Sequence, residues 1–339
     1  MPDTCHNTQY DAGDLAPVAV PTQTVPAVPA AWPYPLVWRR DGPEAGSLVH
    51  GVELVRQVAT GDVSEGWLCM IANGTAHYLS TFASDELLAR LYVDANQVFG
   101  VVAQAGTIVT EPDGSLRVDG RWRFASGADR ATYLAMGCAP VEGRRRTVLL
   151  PRAQLRVDEP WAGPGMLATT SHTLRADHLP LVPDHVVDMT DIPSGRPVGI
   201  HGDAELFLCN MPAVPLGLAE SLLALLGPSV TTASSWGAVY SDAYSRCVVA
   251  RRGVTELLRD LDSLARAGRL GPFAPPLRAE FRALLSGAYH VALDAALALV
   301  NACDTTDPAL RSRLAAARLD GATMRPHAAM RSYLAGRPA

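Results

Sequence analysis

Residues Gly114–Gly137 read GSLRVDGRWRFASGADRATYLAMG, and this stretch decides the architecture. Its first half alternates with a period of two, the pattern of a half-buried strand, and turns back as a hairpin. Trp122 and Phe124 stand two apart and so share one face of the predicted strand. The strand breaks at Ser126–Gly127, and ATYLAMGCAP starts another. Two readings of the break stay open. Either the aromatics belong to a core and Ser126–Gly127 is a plain turn, or the pair opens a shelf for a flat ligand. On the second reading, hydroxyl and backbone groups reach the ligand's polar edge.

The same period extends on both sides. From Gln97, the runs VFGVVAQAGTIVTE, SLRVDGRWRFAS, ATYLAMGCAP, RRTVLLPRAQLRV and TLRADHLPLVP are each bounded by Gly, Pro or Asp. Turns at Pro112–Asp113–Gly114 and Glu142–Gly143 join them. Short strands so spaced predict an antiparallel sheet or barrel ending near Pro197. Upstream, Leu48, Val52, Val55 and Val58–Ala59 recur at helical spacing and stop at Thr60–Gly61. A second helix is predicted over Val63–Ala76, and a third opens at Ser84–Asp85–Glu86, with Ser84 as its cap. After Gly202 helices return at Leu216–Leu226, Val239–Ala267, Pro276–Ala302 and Pro308–Leu334. On the third of these, Leu277, Phe281, Leu284, Ala288, Val291, Ala295 and Leu299 form one apolar stripe, and the set suits a four-helix bundle. The fold class is therefore α+β. Its expected parts are a proline-rich arm over 1–40, a short helical domain over 41–95, a β-barrel domain over 96–200 and a bundle over 201–339.

Composition narrows the function. The 339 residues carry a net charge of −5, with 48% hydrophobic and 19% charged side chains, so no clustered basic face points to nucleic acid. No stretch approaches the apolar length of a membrane span, and residues 1–30 lack the pattern of a secretory signal. Every basic residue is Arg; the absence of Lys removes Walker-A, Schiff-base and pyridoxal-phosphate chemistry. Cys5, Cys69, Cys138, Cys209, Cys247 and Cys303 are scattered, with neither zinc spacing nor the pattern of a disulfide framework, and read as buried thiols of a cytoplasmic protein. GxSxG, HExxH and GxGxxG motifs are missing. His172, His178 and His185 lie on one β segment that does not converge three side chains, so no metal site is expected.

Three blocks carry a resemblance. Gly120, Trp122, Phe124, Ser126 and Gly127 match a G-x-W-x-F-x-S-G strand. WAGPGMLATTSHTLRADHLPLVP is similar to a W…G-M-x-G-T-G-S loop and strand. DGPEAGSLVHGVELVRQVATGDVSEGWLCMI resembles a GGPE…D-x-S-x-G-W helix pair. Together they resemble the acyl-CoA dehydrogenase superfamily, closest to its flavin-dependent monooxygenase branch, the two-component oxygenases and nitrososynthase-like enzymes. The resemblance covers about Asp41 to His327, and the proline-rich arm stands in place of the first family helices. TTS stands where the family has G-T-G-S, which puts Thr169 at a glycine position of the loop.

What the resemblance implies is specific. Trp122, Phe124, Ser126 and Gly127 would line the face of a flavin, with Ser126 near its N5 nitrogen. Thr169, Thr170 and Ser171 would lie in the loop along it. His327, seven residues after Asp320, would face the oxygen side as a general base or orienting group, and His77 would be a second active-site histidine. The implied cofactor is reduced FAD or FMN, supplied by a separate flavin reductase. The implied substrate is a small molecule of secondary metabolism, such as antibiotic biosynthesis. The assembly implied is a homodimer or homotetramer, or a pairing with an intact homologue. A degenerate paralogue without redox activity, acting as cyclase-like catalyst, ligand-binding protein or partner subunit, stays open. So does an acyl-CoA dehydrogenase proper, which needs a carboxylate base where only Asp304 and Asp307 stand.

Overall fold

A computed structural model describes residues 47–92, 96–190, 204–231, 234–327 and Met330. The proline-rich arm and the predicted end of the last helix lie outside these residues. Three helices come first: α1 (Leu48–Gly61), α2 (Val63–Phe82) and α3 (Asp85–Leu91). Side chains cap each start where the sequence offers an oxygen. Ser47 Oγ accepts from the His50 amide, an Asp62 oxygen from Glu65, and Ser84 Oγ from Leu87. At the start of α1 a second carboxylate assists, because buried Asp262 accepts from the amides of Leu48 (2.9 Å) and Val49 and from the Ser47 hydroxyl.

Seven strands follow: β1 (Val98–Thr110), β2 (Leu116–Ala125), β3 (Tyr133–Val141), β4 (Arg144–Pro151), β5 (Arg156–Glu159), β6 (His172–Leu181) and β7 (Val186–Asp188). They form one sheet in the order β5-β6-β2-β1-β3-β4-β7. Two expectations are corrected here. The sheet is mixed, because the turn after β2 carries the chain across β1 and lays β3 parallel to it. No pair joins β5 to β7 among the described residues, so the barrel resolves as an open sheet.

The helices α4 (Ala213–Leu226), α5 (Gly237–Arg266), α6 (Pro275–Ala302) and α7 (Pro308–Met324) make the bundle. Glu205–Ser229 and Pro275–Ala302 are long and apolar enough to cross a membrane by length and composition, which corrects the reading that no stretch is. Here they pack into the core, with Leu216, Leu218, Leu222 and Leu226 of α4 and Phe281, Tyr289, Leu293 and Leu299 of α6 all buried. α2 is buried almost all round, because it lies between two cores. Its Leu68 and Ala72 meet Phe99, Trp122 and Leu134 of the sheet, whereas its Trp67, Cys69 and Met70 join the bundle's core. That sandwich sets the ends of the sheet and the bundle against one helix.

Candidate active site

The site grows from the end of β2. Strand alternation would put Trp122 and Phe124 on one face, but pairing with β6 shifts register between Trp122 and Ala125. Phe124 takes a left-handed φ of 61°, and the two rings part. Trp122 is fully buried, donating its indole N–H to the Gly137 carbonyl at 2.7 Å, whereas Phe124 is 58% exposed. The expected shared aromatic face is therefore corrected. Trp122 belongs to the core and has no surface to offer a ligand; Phe124 stands at the surface. Trp161 meets it edge-on at 6.0 Å, and Arg123 lies over its ring at 5.1 Å.

Just beyond, Gly127 turns at φ 81°, and a Cβ there would fall 2.7 Å from the Phe99 ring, so only glycine fits. Its N–H donates to the Thr169 carbonyl at 2.7 Å, so that amide is not free to bind a ligand. This bond ties the end of β2 to the loop before β6. On its other side the loop is stapled to α7. The Met166 amide donates to an Asp320 oxygen at 2.6 Å, and the Gly165 amide donates to Thr323 Oγ1 at 3.0 Å. Gly165 sits so tightly there that a Cβ would meet the Leu319 backbone at 2.5 Å. Burial raises the Asp320 carboxyl above the usual carboxylate range, the Met166 bond opposing it.

Between these anchors runs a chain of hydroxyls. Trp67 of α2 donates its indole N–H to Ser126 Oγ (3.1 Å). Ser126 Oγ meets Ser171 Oγ (2.8 Å), Ser171 Oγ meets Thr169 Oγ1 (2.7 Å), and Thr169 Oγ1 donates to the Met166 carbonyl (2.7 Å). All four side chains are buried. Thr169 has almost no surface, and its hydroxyl reaches Ser126 only through Ser171. The position that favours glycine is the next one: Thr170 takes φ 43° and is half-buried.

His327 follows α7, its amide bonded to the Met324 carbonyl, and its ring packs edge-on to Trp67 at 5.2 Å. Its Nδ1 is buried with no hydrogen-bond partner among the described residues, and burial pushes the imidazole down to about 4, so it is neutral at pH 7. The structure thus brings Ser126 and His327 each into contact with one indole, that of Trp67. His77 is buried ten residues further along α2, about 15 Å from Trp67 by helix rise. Three residues that shape this geometry were not among the candidates drawn from sequence: Trp67, Trp161 and Asp320. Trp67 stood in the quoted D-x-S-x-G-W block, so that motif was its signal. Nothing in sequence pairs Asp320 with Met166.

No family model matches the chain. Among curated proteins, indole-3-acetate monooxygenase of Pseudomonas putida is 32% identical over 130 residues, 36% of this chain and 32% of that protein. The oxygenase component of the FADH(2)-dependent resorcinol hydroxylase of Rhizobium sp. is 28% identical over 193 residues, 54% of this chain and 47% of its own length. The chain thus spans between a third and a half of the curated relatives it matches. Among solved structures, XiaF from Streptomyces sp., in complex with FADH2 and glycerol, superposes with a TM-score of 0.74. Its sequence is 19% identical, with 85% of this chain and 79% of that one covered. In fold across sheet and bundle, and in local sequence, the chain is similar to the acyl-CoA dehydrogenase-like oxygenase components of flavin-dependent monooxygenases.

Proposed function

We propose that this protein is the oxygenase component of a two-component flavin-dependent monooxygenase, taking reduced FAD or FMN from a separate reductase and acting on a small aromatic molecule. One observation carries the reading: Trp67 holds Ser126, which lies two residues from exposed Phe124, by its indole N–H and packs against a neutral His327 whose Nδ1 has no partner among the described residues. The residues fit such a cofactor. Phe124 and Trp161 give aromatic surface for a flat ring system, and Ser126 keeps one lone pair outside its two hydrogen bonds.

Reduced flavin, when bound, would supply the activation of dioxygen. The chain's own groups would do the rest. Phe124 would carry one face of the ring system and Ser126 would hold its N5 edge, while the apolar surround of Trp67 would keep water out. His327, neutral at working pH and too weak a base at about 4 to deprotonate a phenol, would instead orient the substrate by accepting a hydrogen bond at Nδ1, while His77, buried further along α2, would act at most from a distance. Homologues that act on aromatic molecules support the substrate class.

The finer points belong to the same proposal. The place is a cytoplasmic secondary pathway of the antibiotic type, and the unpaired thiols of Cys69, Cys138, Cys209, Cys247 and Cys303 suit a reducing compartment. Assembly as a homodimer or homotetramer would cover the exposed Val249 of α5 and Leu319 of α7. Anaerobic titration with reduced FMN and reduced FAD tests the whole reading. Saturable binding of one of them is the expected result. A chain that binds neither flavin in either oxidation state overturns it.

A further inference from the structure

We infer that Ser171 and Thr169 decide which oxidation state of flavin the site accepts, by fixing the direction of the Ser126 hydroxyl. The inference rests on the proposed function, in which flavin N5 meets Ser126. It follows from counting hydrogens. A hydroxyl has one hydrogen to give and two lone pairs to receive with, a carbonyl only receives, and an indole N–H only gives. The Met166 carbonyl accepts from the Trp161 indole at 3.2 Å and the Thr169 amide at 3.1 Å, and its shortest contact, at 2.7 Å, takes the single hydrogen of the Thr169 hydroxyl. Thr169 Oγ1, its hydrogen spent, can meet Ser171 Oγ at 2.7 Å only as acceptor, so Ser171 donates. Ser171 in turn can meet Ser126 at 2.8 Å only as acceptor, so Ser126 donates inward. Trp67 fills one lone pair of Ser126 from the other side, at 3.1 Å.

Exposures of 5% for Ser126, 1% for Thr169 and 7% for Ser171 keep bulk water from offering other partners. What remains at Ser126 is one lone pair and no hydrogen. A reduced flavin carries a hydrogen on N5 and satisfies that lone pair. An oxidised flavin presents a bare acceptor nitrogen, and two lone pairs face each other. A site that hydrogen-bonds one form and leaves the other with unpaired polar atoms discriminates strongly. The two residues behind Ser126 thus act as positioning residues whose effect is chemical selection.

The test measures dissociation constants for oxidised and reduced FMN and FAD, anaerobically, on the full chain and on Ser171→Ala, Thr169→Val and Thr169→Ser. In Ser171→Ala the Ser126 hydrogen loses its inward acceptor and turns outward. In Thr169→Val the Ser171 hydrogen turns back to Ser126, with the same consequence. Both variants should lower the preference for reduced flavin by about tenfold or more, chiefly by tightening the oxidised form. A tenfold fall lowers the bound flavin's midpoint potential by about 30 mV, an independent readout. Thr169→Ser keeps the polarity and should restore the preference. A variant whose ellipticity shows lost structure is set aside, and the remaining ones decide. If the unaltered chain prefers reduced flavin and that preference survives in Ser171→Ala and Thr169→Val, the inference fails alone. If the unaltered chain binds neither state, the inference fails together with the proposed function.

Discussion

Replacing Trp122 by Phe should cost stability and leave the flavin site nearly untouched, against the expectation that this tryptophan lines the cofactor. The indole lies flat over two glycines: Cβ atoms at Gly106 and Gly120 would come within 2.4 and 2.3 Å of its ring carbons. A phenyl ring cannot fill that slot. The volume lost, roughly 40 Å³, corresponds to about 1 kcal/mol at the usual cost per unit of cavity volume. The Gly137 carbonyl also loses its indole donor, and an unsatisfied buried acceptor costs about 1–3 kcal/mol. The sum is about 2–4 kcal/mol. Urea unfolding followed by ellipticity reads the stability, and anaerobic titration reads the affinity for reduced flavin. The paired variant Phe124→Ala should do the reverse, because its ring is exposed: stability within about 1 kcal/mol of the parent, and reduced-flavin affinity down about tenfold. Weakened flavin binding in Trp122→Phe at unchanged stability would refute the assignment of Trp122 to the core.

Three further outcomes follow from other parts of the structure. Asp262→Ala removes the acceptor for two amides at the start of α1 and should destabilise the protein by about 1–3 kcal/mol in thermal or urea melts. Gly165→Ala forces a Cβ into the Leu319 backbone and should break the Met166–Asp320 bond. Faster hydrogen exchange at residues 163–170 is the expected signature, and unchanged exchange would show that α7 yields instead. His327 is held at about 4 when folded, against an ordinary histidine value of 6.5. Its neutral form is thus favoured by folding, and this contribution is full above pH 6.5 and lost as pH falls toward 4. It amounts to at most about 3 kcal/mol, and His327→Phe should flatten stability over that window.

The elements were legible because their signals are local. Ser84, read as a cap from sequence, caps α3, and the apolar spacing of α1 and α6 marks their buried faces. The site was legible only where a resemblance named its residues, and even there side-chain direction was not. Phe124 leaves the face of Trp122 because of a bulge, and a bulge is a property of pairing: it arises where Trp122 faces Leu174 and Ala125 faces His172, some fifty residues away in sequence. The glycine-like position fell at Thr170 rather than Thr169 for a similar reason, since positive φ is set by how the loop is stapled to Asp320 and Gly127.

Hydroxyl direction lies deeper still. Serine and threonine are ordinary at all three positions, and no spacing between 126, 169 and 171 tells that their oxygens meet. Once they do, the carbonyl of Met166 at one end and the indole of Trp67 at the other leave a single arrangement of hydrogens. The two termini of the chain of hydroxyls, not the serine itself, therefore determine what Ser126 shows to a ligand. Exchanging Trp67 for Phe should then act differently from Ser171→Ala. It adds a second open lone pair without freeing a hydrogen, so affinity for reduced flavin should weaken through lost positioning while the preference over oxidised flavin persists. A preference that vanished in Trp67→Phe would place its origin outside the hydroxyl chain.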